Sequence, residues 1–358
     1  MTPQLLDETQ NLQPAPPCPG ADPARTDPSR VDRRSLLIGA SVVAAGAIGY
    51  PLIASAFGVQ SPVFLAKNQR YDSSLERTIR DGLLATGIDL TALAGRRVLL
   101  KPNMVEPSRS RPQMTTHPAV VVAAAEVFRR YGATVTVGEA PGHVRDTQMA
   151  LYESGVGSAI EDAGVEFADL NYEDVVWTPN AGRASPLKGL YLPQSVATAD
   201  LIVSLPKLKT HHWVGMTAAM KNLYGVLPGI KYGWPKNVLH HAGIPQTVFD
   251  INASLPPTIA IVDGILCMEG DGPILGSPKT MGLIAIGAPV AVDATCARII
   301  GLQPKRIEYL QLGKRLGPID EAHITQRGEK WRELASPFQI VEVPHLQRLR
   351  RKGAIATS

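Results

Sequence analysis

From residue 62 onward, short uncharged apolar runs alternate with segments of helical period. Leu201 to Leu205 is the clearest run, and its shortness and lack of polar positions read as a strand buried on both faces. Pro62 to Ala66, Arg97 to Leu100, Thr134 to Val137, Val165 to Leu170, Thr258 to Val262 and Gly282 to Ile286 read as further strands. Between them, Leu75, Ile79, Leu83 and Leu84 recur at helical spacing within Tyr71 to Thr86. The segment Pro118 to Tyr131 has clear helix punctuation: Thr116 or His117 as N-cap, Pro118 in the first turn, Gly132 as the stop. Asp146 to Ala163, Pro245 to Ala253, Val290 to Ile300 and Arg306 to Leu316 also read as helical. Residues 172 to 198 lack that period and read as a β-hairpin excursion ahead of the central strand. This alternation predicts an α/β fold, a doubly wound and largely parallel sheet with a β-hairpin insertion.

Ahead of the pattern lie 32 residues rich in Pro, Asp and Thr, and then Arg33 and Arg34 directly precede a charge-free run from Ser35 to Gln60. That layout reads as a targeting segment. Asp32-Arg33-Arg34-Ser35-Leu36-Leu37 resembles a twin-arginine export signal, with Leu36 where Phe is usual and Ile38 where Lys is frequent. Ala54-Ser55-Ala56 has the small-x-small form of a cleavage site, while the run also reaches the ~20 residues a bilayer requires, so cleavage and retention as a membrane anchor both stay open. The expected organisation is a leader and signal over 1–60, an α/β domain over 61–320, and a C-terminal extension over 321–358 with a basic tail. The expected location is the periplasm or the extracellular space, reached through the twin-arginine translocase.

Charge changes little in this picture. The formal net charge of +4 becomes +5 without residues 1–56, and the basic residues are dispersed with no aromatic alternation, which argues against nucleic acid as a partner. Cys18 lies in the leader, and Cys267 and Cys296 stand far apart in apolar settings. They read as small core residues, with a single disulfide between them as the alternative; no iron–sulfur motif is present.

The chemistry collects at strand ends. Lys101, Glu139, Lys207 and Asp263 each follow a strand, and a parallel sheet sets such ends along one edge, where open α/β folds bind ligands. The central strand leads into Lys207, Lys209, His211 and His212, and then into Thr217, Lys221 and Asn222 on a segment expected to be helical from near Gly215. Lysines suit a carboxylate or phosphate, so Lys207, Lys209 and Lys221 are the expected clamp, Lys101 a further ligand-binding cation, and Asn103 and Asn222 the orienting donors. His211, with Glu139 or Asp263, is the candidate for proton transfer, and Lys101 with Glu139 also reads as a plain ion pair. A divalent metal on His117, His211 and His240 or His241 is conceivable from residue type alone, since no HExxH-like spacing fixes it. The Gly-rich loop 270–276 matches neither a dinucleotide fingerprint nor a P-loop, and no GxSxG elbow is present.

Six motifs in order, VLLKPNM (98–104), TTHP (115–118), GEAPG (138–142), SLPKLKTH (204–211), MKNLYGVLPG (220–229) and EGDGPILG (269–276), resemble the domain of unknown function 362 family over roughly residues 62–315. The resemblance implies that Lys101, Asn103, Lys207, Lys209, His211, Lys221 and Asn222 are its recurrent polar residues, without assigning them roles. Several members carry a ferredoxin-type cluster segment, which this chain lacks. The reading is an exported protein that binds and acts on a small anionic molecule; a non-catalytic binding or metal- or cofactor-handling protein is the alternative.

Overall fold

The computed structural model describes residues 60–353, so the twin-arginine pair and the apolar run behind it lie outside the described residues. The described residues all fall in one unit spanning 44–358. Its strands are β1 (Ser61–Ala66), β2 (Arg97–Pro102), β3 (Thr134–Glu139), β4 (Glu166–Asp169), β5 (Val175–Pro179), β6 (Gly189–Pro193), β7 (Leu201–Leu205), β8 (Lys207–His211), β9 (Gly215–Thr217), β10 (Thr258–Glu269), β11 (Ser277–Gly287) and β12 (Ile324–Gly328). The main sheet runs β12-β1-β11-β10-β7-β2-β3-β4, with β8 and β9 added beside β10, and β5-β6 form a separate hairpin. Along the main path only the pairings of β11 with β1 and β10 are antiparallel. The fold is therefore α/β with a largely parallel sheet and a hairpin insertion.

Strand order explains where a site can form. The chain runs outward through β2, β3 and β4, then returns to lay β7 on the other side of β2. Order reverses between β2 and β7, and a crevice opens at the carboxyl ends of strands flanking such a switch. Each strand there is covered on both faces, which is why it reads as a continuous apolar run. Leu201, Val203 and Leu205 of β7 join one core with the helices α1 (Leu75–Ala85) and α2 (Pro118–Arg130), through Ile79, Val120 and Phe128. Ile202 points to the other core with Met220, Val248 and Val292.

Local signals mostly act as expected. His117 caps α2 by accepting the Ala119 N–H on Nδ1, Pro118 opens the helix, and Gly132 follows its end with φ +80°. Asp146–Ala163 divides into α3 (Thr147–Ser154) and α4 (Val156–Asp162), because Gly155 at φ +71° ends one helix and starts the next. The expected helix near Gly215 is instead β9, antiparallel to β8, and only the single turn α5 (Ala219–Asn222) is helical. Pro206 ends β7, yet the chain stays extended and Lys207 pairs with Asp263 of β10. Beyond it follow α6 (Ile244–Ser254) and α7 (Pro289–Ile299). β10 does not stop at Asp263 but continues to Glu269 through an irregularity between Gly264 and Leu266. Residues 324–328 return to pair with β1, and Trp331 and Phe338 beyond them are buried. Cys267 and Cys296 are buried free thiols.

Candidate functional site

At the switch point, a cavity of about 280 Å³ is lined by Lys101 of β2, Glu139 of β3, His211 of β8, and Lys221 and Asn222 of α5. Strands distant in sequence supply its floor, as the parallel topology requires. Lys101 Nζ donates to Glu139 Oε2 at 2.6 Å, to Asn222 Oδ1 at 3.3 Å and to the Pro102 carbonyl. Glu139 Oε2 also accepts the Met104 N–H and Oε1 the Ala140 N–H, so three of the four acceptor positions of the carboxylate are taken. Burial lifts this carboxyl above its ordinary value and lowers Lys101, each opposed by the charge of the other.

Asn222 ties the floor together. Its amide donates to the Lys101 carbonyl and to Ser204 Oγ, and its oxygen accepts from Asn103 Nδ2 at 3.0 Å. Asn103 Oδ1, buried, has no hydrogen-bond partner among the described residues. The single turn carrying Lys221 and Asn222 is held from below, where Asp293 of α7 accepts the N–H groups of Ala219 at 2.6 Å and Met220 at 3.0 Å.

Lys221 differs from the other cations. Its ammonium lies 3.9 Å from the centre of the Tyr224 ring and pairs with no carboxylate among the described residues. Burial first, and then the charge of Lys101, push its pKa down to about 7. Lys236, which sequence reading missed, also reaches the cavity: it occupies the left-handed region at φ +68° and donates to the carbonyls of Ala140 and Tyr224. Burial lowers it to about 7 as well. The one sequence cue is its place directly after Trp234-Pro235.

His211 is fixed as a donor rather than a base. Its Nδ1 accepts the Trp213 N–H at 3.1 Å, which puts the hydrogen of the neutral ring on Nε2. Burial, followed by Lys221 and His212, holds the ring well below the usual histidine range and hence neutral. His240 reaches the cavity too and is lowered to about 4 by burial and then by Lys221.

Lys207, Lys209 and Asp263 stand outside the cavity lining. Lys207 Nζ lies 2.6 Å from Asp263 Oδ2, fully buried, and both oxygens of Asp263 are engaged further, by Tyr71 Oη and by the N–H groups of His117 and Ile265. A carboxylate with every direction occupied holds β8, β10 and the start of α2 together; it has no open lone pair for a ligand's proton. Lys209 donates to the carbonyls of Met114 and Pro273 and so fastens the Gly-rich loop, in which Pro273 and Ile274 line the cavity. Of the three lysines expected as a clamp only Lys221 lines the cavity, where Lys101 and Lys236 accompany it. His117 stacks on Tyr71 at 3.7 Å, and His241 is exposed. Among the described residues, no three His, Cys, Asp or Glu side chains converge as a metal site.

The family described as Domain of unknown function (DUF362) matches residues 98–298, which hold β2, β3, β7, β8 and the cavity floor. The chain belongs to that family. A thylakoid-associated protein of Synechocystis sp. is 30% identical over 262 residues, covering 71% of this chain and 79% of that one. Among solved structures, the lactate racemase apoprotein of Thermoanaerobacterium thermosaccharolyticum aligns with 16% identity and a TM-score of 0.43 over 68% of this chain, which spans 57% of that protein's length.

Proposed function

We propose that this DUF362 protein binds a small carboxylate or phosphate compound in the β2/β7 cavity and acts on it, after export by the twin-arginine route. The observation that carries the reading is Lys221, an ammonium recessed in a cavity where, among the described residues, the only lining carboxylate, Glu139, is already committed to Lys101. A bound anion would restore the charge that burial takes from Lys221 and Lys236, and His211 Nε2–H would be a neutral donor beside them. With His211 fixed as donor and Glu139 held by Lys101, the groups divided between acid and base at neutral pH are Lys221 and Lys236; Lys236 is tied to two carbonyls, so proton transfer falls to Lys221.

The commitment of Glu139 to Lys101 equally favours a second reading, capture of the anion without chemistry. Export rests on Arg33, Arg34 and the apolar run behind them, and the thylakoid-associated relative supports a place beside a membrane. No helix among the described residues is long and apolar enough to cross one. The test is native mass spectrometry of protein recovered from outside the cytoplasm. A stoichiometric anionic small molecule is expected on the parent protein and absent from Lys221→Met; an unloaded parent that takes up no carboxylate or phosphate on addition would end the proposal. Conversion of the bound molecule separates chemistry from capture, and the Arg33→Lys, Arg34→Lys protein should stay inside, because a receptor that reads the planar guanidinium fork rejects Lys.

A further inference from the structure

We propose that the anion taken by this cavity carries a flat aromatic body, an aryl or heteroaryl carboxylate or phosphate, with its charge at Lys221 and its ring against Trp213. This rests on the anion reading above and names the class of ligand. From Lys221 the cavity wall is a succession of rings. Tyr224, under the ammonium, is stacked with His240 at 5.8 Å and 19°, and His240 meets Trp213 edge to face at 5.2 Å and 78°. All of these line the cavity.

Trp213 is 54% exposed, although indole is the side chain with the most apolar area to hide. None of the rings around it lies flat on it: His211 is tilted at 44° and His212 stands at 79°. Among the described residues, no aromatic ring is therefore stacked on an indole face, and a planar ligand ring is the group that fits such a face best. Met104, Val105, Pro235 and Ile274 supply apolar lining that a small hydrophilic anion would leave unused. Charge at the floor, rings along the wall and a half-bare indole select a molecule with one anionic end and one flat apolar end.

The test is calorimetric titration of the full chain with two matched pairs, benzoate against cyclohexanecarboxylate and phenyl phosphate against cyclohexyl phosphate. Each pair holds the anionic group and approximate ring size constant and changes a flat aromatic ring into a puckered saturated one, and titration at pH 8.5 keeps both phosphates dianionic. Ring stacking on an aromatic side chain contributes about tenfold in affinity, so the aromatic member of at least one pair should bind about tenfold more tightly. Trp213→Ala should remove that advantage and leave the cyclohexyl compound within about threefold of its parent affinity; the side chain is half exposed, so the fold should tolerate the change. Equal affinities within both pairs would overturn the aromatic assignment while leaving the anion site standing. Binding by none of the four compounds would remove the anion site itself.

Discussion

Two lysines fourteen positions apart, Lys207 and Lys221, are in opposite physical situations. Lys207 is fully buried against Asp263 at 2.6 Å. Removing one partner of such a pair strands the other charge, so Lys207→Met should cost about 3–5 kcal/mol of stability, read as a lower denaturant midpoint. Lys221 has no carboxylate to strand, and Lys221→Met should keep or raise the midpoint of the ligand-free protein. Its pH dependence has a definite sign. The folded pKa of about 7 lies below the ordinary 10.5, so between these values the unfolded chain holds a proton that the folded chain lacks. Ligand-free stability should rise with pH across that window, and Lys221→Met should flatten the rise by its share, Lys236 retaining the rest. A midpoint for Lys221→Met as low as that of Lys207→Met would show that Lys221 is structural.

At the scale of elements, the site depends on a close approach between the turn after α5 and the ends of β2 and β3. The Gly225 carbonyl accepts the Ala140 N–H at 2.9 Å, and a Cβ built at Gly225 would lie 2.6 Å from Lys101 Nζ and against Glu139 Oε1. Gly225→Ala should therefore cost about 1–3 kcal/mol through overpacking. It should also weaken anion binding, because Asn222 and Lys101 move together; unchanged stability and binding would mean that the turn can give way. This contact shows what the sequence could and could not carry. The strands were legible because β2 and β7 are covered on both faces and read as short apolar runs while β3 alternates Thr with Val, and the strand ends bearing Lys101 and Glu139 followed from parallel topology. β9 was not legible, because Gly215–Thr217 is too short to show a period and is extended by pairing with β8. Nor was the parting of Lys207 from the cavity, which arises from the register that sets it opposite Asp263.

For the whole molecule, the switch between β2 and β7 places Lys101, Glu139, Lys221 and Asn222 in one cavity, and the left-handed turn at Lys236 adds a cation that no periodicity announces. As proposed, this cavity is an anion site whose Lys221 is recharged by its ligand. Binding and protonation must then be linked: an anion beside Lys221 raises its pKa from about 7, so above that pH the complex takes up protons and affinity falls as pH rises. The most direct measurement is calorimetric titration with benzoate, which does not titrate in this range, at pH 7 to 8.5 in buffers of different ionisation enthalpy. The expected result is net proton uptake near pH 8, affinity that declines with pH, and a loss of about ten- to a hundredfold in Lys221→Met, as for a charge-assisted hydrogen bond of about 1.5–3 kcal/mol, with Lys188→Met on the exposed hairpin unchanged. No binding, or binding with neither proton exchange nor sensitivity to Lys221, would contradict it.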